Sequence, residues 1–136
     1  MIRPIIKDVL FLGQKCDDAG PGDASVADDL RDTLRANRER CVGMAANMIG
    51  VKKRVIIINS GFGDIVMFNP RITKKDSPYT AQEGCLSLTG VRTAQRYRNI
   101  EVEYLDAQFN KRRQKFGGWT AQIIQHEIDH CSGIVI

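Results

Sequence analysis

The segment that most constrains this chain is "IIQHEIDHCSG", because it holds both histidines of the 136-residue sequence. His126 and His130 stand four residues apart, with Glu127 and Asp129 between them. Isoleucines spread around the circumference that a helix over residues 119–131 would have, which predicts that little of this helix faces water. Four ionisable side chains in a buried helix are costly unless something compensates them. The segment therefore predicts a buried helix that carries a functional site.

The spacing of the two histidines indicates a metal site. Residues four apart on a helix lie on one face, with Cβ atoms about 5–6 Å apart, so His126 and His130 can direct two nitrogens at one ion. Glu127 projects beside that point and can take a proton from water. This H-E-x-x-H pattern favours a catalytic metal over two histidines that are satisfied by ordinary hydrogen bonds.

Two histidines need at least one further ligand. None of the six residues after His130, "CSGIVI", is His, Asp or Glu, so the ligand comes from upstream or is Cys131. A residue next to His130 points about 100° away around the helix, which makes Cys131 a poor candidate. Cys85 in "EGCLS" follows a glycine, where the backbone can approach closely, whereas Cys16 and Cys41 lack such a context.

The rest of the chain predicts an α+β fold. Residues 25–41 carry apolar side chains at helical spacing and predict an N-terminal helix. β-Branched or alternating stretches predict four strands, at residues 54–60, 65–73, 100–106 and 111–116. Pro70 indicates that the second strand ends there or reaches a sheet edge, and the last two strands are predicted to form a hairpin. We expect one domain, residues 1–136, with mostly antiparallel sheets packed around the buried C-terminal helix.

Composition narrows the location and the partners. The net charge of +4 and pI near 9.0 come from scattered basic residues, with one dense cluster at residues 111–115, and favour a solvated surface over an RNA-binding one. No apolar run reaches the ~20 residues that a membrane helix needs. The apolar part of the N-terminus is too short, and too interrupted by charged residues, to be a secretory signal peptide. We expect a cytoplasmic protein without membrane or DNA partners, whose four cysteines are thiols or metal ligands.

Three motifs together resemble those of the peptide deformylases, metalloenzymes that remove formate from the N-terminal formyl-methionine of new proteins. The motifs are "CVGMAANMIG", "EGCLS" and "QHEIDH", in that order. The resemblance implies that Cys85, His126 and His130 bind one divalent ion, Fe²⁺ in the cell, with Zn²⁺, Ni²⁺ or Co²⁺ able to occupy the same site. It also implies Glu127 as general base, the backbone N–H of Leu86 as an oxyanion donor, formyl-methionyl nascent peptides as substrates and a transient contact with the ribosome.

The same resemblance implies a substrate groove and shows one departure. The substrate-binding residues would be Val42, Gly43, Met44, Met48, Glu83, Gly84, Trp119 and Ile123, of which Val42, Gly43, Trp119 and Ile123 would form an apolar groove for methionine. Arg92 and Arg96 would lie nearby, with Arg96 a candidate to pair with Asp129. Met48 stands where the family has a glutamine whose amide binds the oxyanion, and a thioether cannot donate a hydrogen bond. Loss of one such donor typically costs ~10²–10³ in turnover. Asn47 could supply an amide only if the loop is shifted.

This departure leaves three functions open. The first is a deformylase with reduced activity. The second is a hydrolase of the same fold that acts on another N-acyl or amide substrate. The third is a metal-binding paralogue that binds formyl-peptides with weak or no turnover. Release of formate from formyl-Met-peptides separates the first from the other two.

Overall fold

The computed structural model describes residues 1–85 and 87–134, so that Leu86 lies outside the described residues, and the side chains of Leu88 and Thr89 are not described. The elements are α1 (Val9–Leu12), α2 (Ser25–Ala36), β1 (Gly43–Ala45), β2 (Val55–Asn59), β3 (Asp64–Cys85), β4 (Leu88–Leu105), β5 (Lys111–Gly117) and α3 (Gly118–Cys131), with short 3-10 helices at Pro21–Asp23 and Ala46–Ile49. This order confirms the predicted α+β class. No helix in the described ranges is long and apolar enough to span a membrane.

One five-stranded antiparallel sheet, in the order β1-β2-β3-β4-β5, carries the fold. Each strand pairs with the next one along the chain, so the sheet is built entirely from local hairpins. The predicted hairpin between residues 100–106 and 111–116 is confirmed, with Glu101 opposite Lys115. The β3–β4 hairpin runs to the pair Cys85 and Leu88, so it carries Cys85 to its tip.

The apolar run in β2 is buried on both faces of the sheet. Val55 and Ile57 belong to a core that includes Leu30 and Leu34 of α2. Ile56 and Ile58 belong to a second core, which includes Ala121, Ile123 and Ile124 of α3. Successive strand residues point to opposite faces, so a continuous β-branched run suits a strand covered on both sides. The helix that carries both histidines is thereby held against one face of the sheet.

Strand β3 does not end at Pro70, so the predicted strand end was wrong, whereas the predicted sheet edge is confirmed: β2 pairs with β3 only as far as Phe68, and beyond it β3 pairs with β4 alone. The pairing register shifts between Phe68 and Arg71, and Asn69 between them has a φ of 53°. This bulge accommodates Pro70, which has no backbone N–H to donate to a neighbouring strand. Arg54 donates to the Pro70 carbonyl at 2.5 Å. Because the strand continues to Cys85, it brings the "EGCLS" motif to the "QHEIDH" motif of α3.

Helix α2 ends at Ala36, five residues before the predicted limit at residue 41. The Asn37 side-chain amide donates to the Thr33 carbonyl at 2.8 Å, and this contact caps the last turn. The residues that follow leave the helix as turns and lead into β1. The early end leaves "CVG" outside the helix, and its Gly43 begins β1.

Candidate active site

The structure brings Cys85, His126 and His130 together, and their ligand atoms all lie within 4.8 Å of one another. Cys85 Sγ is 3.2 Å from His130 Nε2, and the two histidine Nε2 atoms are 3.3 Å apart. His126 and His130 share one face of α3, whereas Cys85 arrives from the end of β3. Residues more than forty positions apart therefore converge as the sequence predicted.

Glu83 orients His126. The carboxylate Oε1 of Glu83 is 2.8 Å from His126 Nδ1. Burial raises the pKa of Glu83, but hydrogen bonds from His126, Arg96 and Gln122 outweigh it and lower that pKa to about 2. An ionised carboxylate accepts the Nδ1 proton, so the lone pair of Nε2 faces Cys85 and His130. We therefore assign Glu83 a positioning role.

Arg96 fixes this carboxylate in turn. Its guanidinium is 3% exposed and donates to both Glu83 oxygens at 2.7 and 2.9 Å. A third donor, Nη1, reaches Asp129 at 2.6 Å, which confirms the predicted pair between Arg96 and Asp129. Sequence reasoning missed the pair with Glu83. The signal was available only through the β3–β4 register, which sets Arg92 opposite Glu83 and thus Arg96, four residues on, on the same face.

His130 is fully buried and neutral. Burial is the main cause that lowers its pKa to about 4. Neutral imidazole is the form that binds metal. The side-chain amide of Asn47 donates to the backbone carbonyl of His130 at 2.9 Å, and Asn47 is itself fully buried. Asn47 is thereby committed to α3, which argues against the alternative that it replaces the missing oxyanion donor.

Glu127 lies beside the three ligand atoms with properties that suit a general base. Burial raises its pKa to about 7. Its Oε1 atom is buried and has no hydrogen-bond partner among residues 1–85 and 87–134. A carboxylate with a pKa near neutrality can both accept and release a proton at physiological pH.

A cleft opens over Glu127 and His126. Its lining contains all the predicted substrate-binding residues except Met44, and four residues that were not among the predicted site residues. The lining residues are Arg40, Cys41, Val42, Gly43, Met48, Gln82, Glu83, Gly84, Cys85, Trp119, Gln122, Ile123, His126 and Glu127. Gln122 could have been found by spacing, since it lies one helical turn before His126.

Met44, which was predicted to bind substrate, does not line the cleft. It is fully buried in the core that contains Leu30 and Leu34 of α2. Neighbouring residues of a strand point to opposite faces, and Ala45 on one side of Met44 belongs to the core under α3. Gly43, two residues before Ala45, lies on the same face of the strand as Ala45 and beside Glu127, so the Met44 side chain points away from the cleft.

Gly43 permits the close approach of α3 to β1, and we expect Gly43→Ala to disturb the site. A Cβ at this position would lie 2.8 Å from Ile123 Cγ2, 3.2 Å from Glu127 Oε2 and 3.2 Å from the Ile57 carbonyl. We expect a loss of about 1–3 kcal/mol of unfolding free energy in urea titrations. Displacement of Glu127 should also lower kcat about tenfold or more.

Gly22→Ala is the matched control for this substitution. A Cβ at Gly22 meets nothing within 4 Å, so stability and turnover should both stay close to those of the unsubstituted protein. A Gly43→Ala protein with unchanged stability and turnover would contradict the close approach.

Comparison with known proteins agrees with this geometry. The sequence profile of the polypeptide deformylases matches residues 6–136. A peptide deformylase of Clostridium beijerinckii is 60% identical over 136 residues, which is 100% of both chains. The structure of an actinonin-bound class I type b peptide deformylase from Acinetobacter baumannii superposes with a TM-score of 0.88 at 30% identity, over 99% of this chain and 95% of that one.

A further structure of the Acinetobacter baumannii enzyme, bound to Met-Ala-Ser, has a TM-score of 0.87 at 28% identity and covers 99% of this chain and 97% of that one. The family profile and the Clostridium relative both extend over nearly the whole sequence. This chain therefore belongs to the peptide deformylase family, the hydrolases that remove the N-formyl group from newly made polypeptides.

Proposed function

We propose that this chain deformylates nascent peptides with one divalent ion held by Cys85, His126 and His130. The observation that carries the proposal is the convergence of their three ligand atoms within 4.8 Å. The donors fit such an ion, because one thiolate and two neutral imidazoles suit divalent transition metals and Glu83 leaves Nε2 of His126 available. We propose Fe²⁺ as the resident ion, as the family resemblance implies; the same donors accept Zn²⁺, Ni²⁺ or Co²⁺.

Glu127 carries the proton transfers in this proposal. When bound, the ion supplies a Lewis acid that polarises the formyl oxygen and lowers the pKa of water. Glu127 takes a proton from the attacking water as its oxygen bonds to the formyl carbon. It returns that proton to the peptide nitrogen as the C–N bond breaks, which yields formate and a free amine. We assign the backbone N–H of Leu86, outside the described residues, as a donor to the developing oxyanion.

The cleft is the proposed binding site for the formyl-methionyl peptide. We propose that the methionine side chain lies against Val42, Trp119 and Ile123, which present apolar surface beside Gly43. Strand β1 ends the sheet order, so the peptide backbone can pair with its outer edge. The Met-Ala-Ser complex of the Acinetobacter baumannii enzyme supports a site for methionyl peptides.

The test of this function is formate release from formyl-Met-Ala-Ser by protein loaded with iron under anaerobic conditions. We expect stoichiometric formate and Met-Ala-Ser. Acetyl-Met-Ala-Ser, run in parallel, measures the alternative of another N-acyl substrate. Metal-replete protein that releases no formate would overturn the proposal.

Met48→Gln is expected to raise turnover about tenfold or more, since a restored oxyanion donor is typically worth ~10²–10³. Met48 lines the cleft, is 1% exposed and accepts a hydrogen bond from the Ala45 N–H through its sulfur at 3.4 Å. A glutamine oxygen can take over that contact, which leaves its amide to donate into the cleft. The measurement is kcat for formyl-Met-Ala-Ser.

Met48→Leu is the control, because leucine has a similar volume and no donor. Its turnover should not rise. Equal turnover of Met48→Gln and Met48→Leu would show that a donor at this position contributes nothing.

We further propose that residues 1–136 act as one domain in the cytoplasm and contact the ribosome surface transiently. The two hydrophobic cores share one sheet, which supports a single folding unit. The net charge of +4 supports contact with a polyanionic surface, and formylated chains arise at the ribosome.

A further inference from the structure

The charges that line the cleft differ in whether they are already compensated. Both oxygens of Glu83 accept hydrogen bonds from neighbouring side chains, and Arg96 neutralises its charge. Glu127 is buried at the base of the cleft. Arg40 is exposed and donates to the neutral side-chain oxygen of Asn37 at 2.9 Å.

No carboxylate forms an ion pair with Arg40 in the part of the chain that the structure describes. Its neighbour Arg38 provides the contrast, since it donates to both oxygens of Asp64 at 3.1 and 3.2 Å. Arg40 lines the cleft, directly before Cys41, Val42 and the start of β1. The rim of the cleft therefore presents one uncompensated positive charge to the part of a bound ligand that extends out of the cleft.

We propose that Arg40 makes this site favour formyl-peptides that carry an acidic residue at the second or third position. The inference rests on the proposed function, because the formylated end must lie at Glu127 for the residues after methionine to pass the rim. The formylated end has no charge, and in a longer chain the C-terminal carboxylate lies beyond the cleft, so a side-chain carboxylate is the group on the peptide that a guanidinium at the rim can recognise.

The expected selectivity is modest and depends on salt. Exposed charge pairs alter affinity by about threefold to fivefold, and a basic side chain at the same place is disfavoured by a similar factor. Screening shortens the reach of exposed charges as the ionic strength rises. We therefore expect kcat/KM for Glu-containing peptides to exceed that for Lys-containing ones about fivefold or more at low salt, with a smaller ratio at high salt.

The experiment compares kcat/KM for formyl-Met-Ala-Ser derivatives with an amidated C-terminus and with Glu, Gln or Lys at the second or third position. Arg40→Ala should bring the Glu to Lys ratio close to one, and Arg40→Glu should invert it. Lys111→Glu is the matched control, because it makes the same change of net charge in β5, outside the cleft lining. Its ratio should remain that of the unsubstituted protein.

A binding measurement separates this inference from the proposed function. Trp119, the single tryptophan of the sequence, lines the cleft, so its fluorescence can report Kd for C-terminally amidated Met-Glu-Ser and Met-Lys-Ser without turnover. Loss of hydrolysis with Arg40-dependent binding selectivity would overturn only the proposed function. Hydrolysis of formyl-Met-Ala-Ser with a Glu to Lys ratio near one at both positions, or a ratio unchanged in Arg40→Glu, would overturn only the role of Arg40.

Discussion

Glu127→Gln is expected to lower kcat for formyl-peptide hydrolysis by about 10²–10⁴, the range that a positioned general base contributes. Glutamine keeps the size and shape of the side chain but cannot accept a proton at neutral pH. Glu127 lies outside the cluster of ligand atoms, which is formed by Cys85, His126 and His130. The metal content should therefore stay at about one ion per chain, and single-turnover assays should show that the chemical step is slowed.

Asp129→Asn is the matched control for this substitution. It removes a negative charge from the same helix, two residues away, at a carboxylate that contacts Arg96 and does not line the cleft. We expect less than about a tenfold change in kcat, since Arg96 keeps both hydrogen bonds to Glu83. Full activity of Glu127→Gln with normal metal content would exclude Glu127 as the base.

The local part of the site could be predicted because helical geometry fixes it. His126, Glu127 and His130 lie within five consecutive residues, so the helix period alone places them around one point. Cys85 was different, because no local rule joins it to α3. Its context after a glycine made it the best candidate, and the family resemblance named it.

Apart from the early end of α2, the differences from prediction lie in the strands, where one residue decides which face a side chain occupies. The alternation in β1 turns Met44 into the core under α2 while Gly43 stays beside Glu127. At Pro70 the expectation of a strand end overlooked the bulge at Asn69, through which β3 continues. Neither feature has a signature that composition or period could reveal without the pairing register.

The network behind the metal ligands depends on the same long hairpin. Glu83 meets His126 only because β3 extends past Pro70, and Arg96 reaches Glu83 only through the register of β4. Arg96 in β4 pairs with Glu83 in β3 and Asp129 in α3, so this buried network also ties α3 to the long hairpin. Stability and ligand orientation thus share the same contacts.

Cys85→Ala is expected to reduce the metal content from about one ion per chain to near zero and to abolish formate release. The substitution leaves only two imidazoles, fewer than the three protein ligands that catalytic sites of this kind use. Loss of the ion also removes a ligand-linked stabilisation of about 4 kcal/mol when free metal exceeds Kd about a thousandfold. A chelator should therefore lower Tm in the unsubstituted protein and leave Tm of Cys85→Ala unchanged.

Cys131→Ala and Cys41→Ala are the controls for this last prediction, since both thiols lie outside the cluster of ligand atoms. Cys131 is buried beside His130, and Cys41 lines the cleft with its thiol donating to the Gly43 carbonyl at 2.8 Å. Both variants should retain the ion and its effect on Tm. If Cys41→Ala loses the metal while Cys85→Ala keeps it, the thiolate ligand comes from the segment before β1 and not from the tip of the long hairpin.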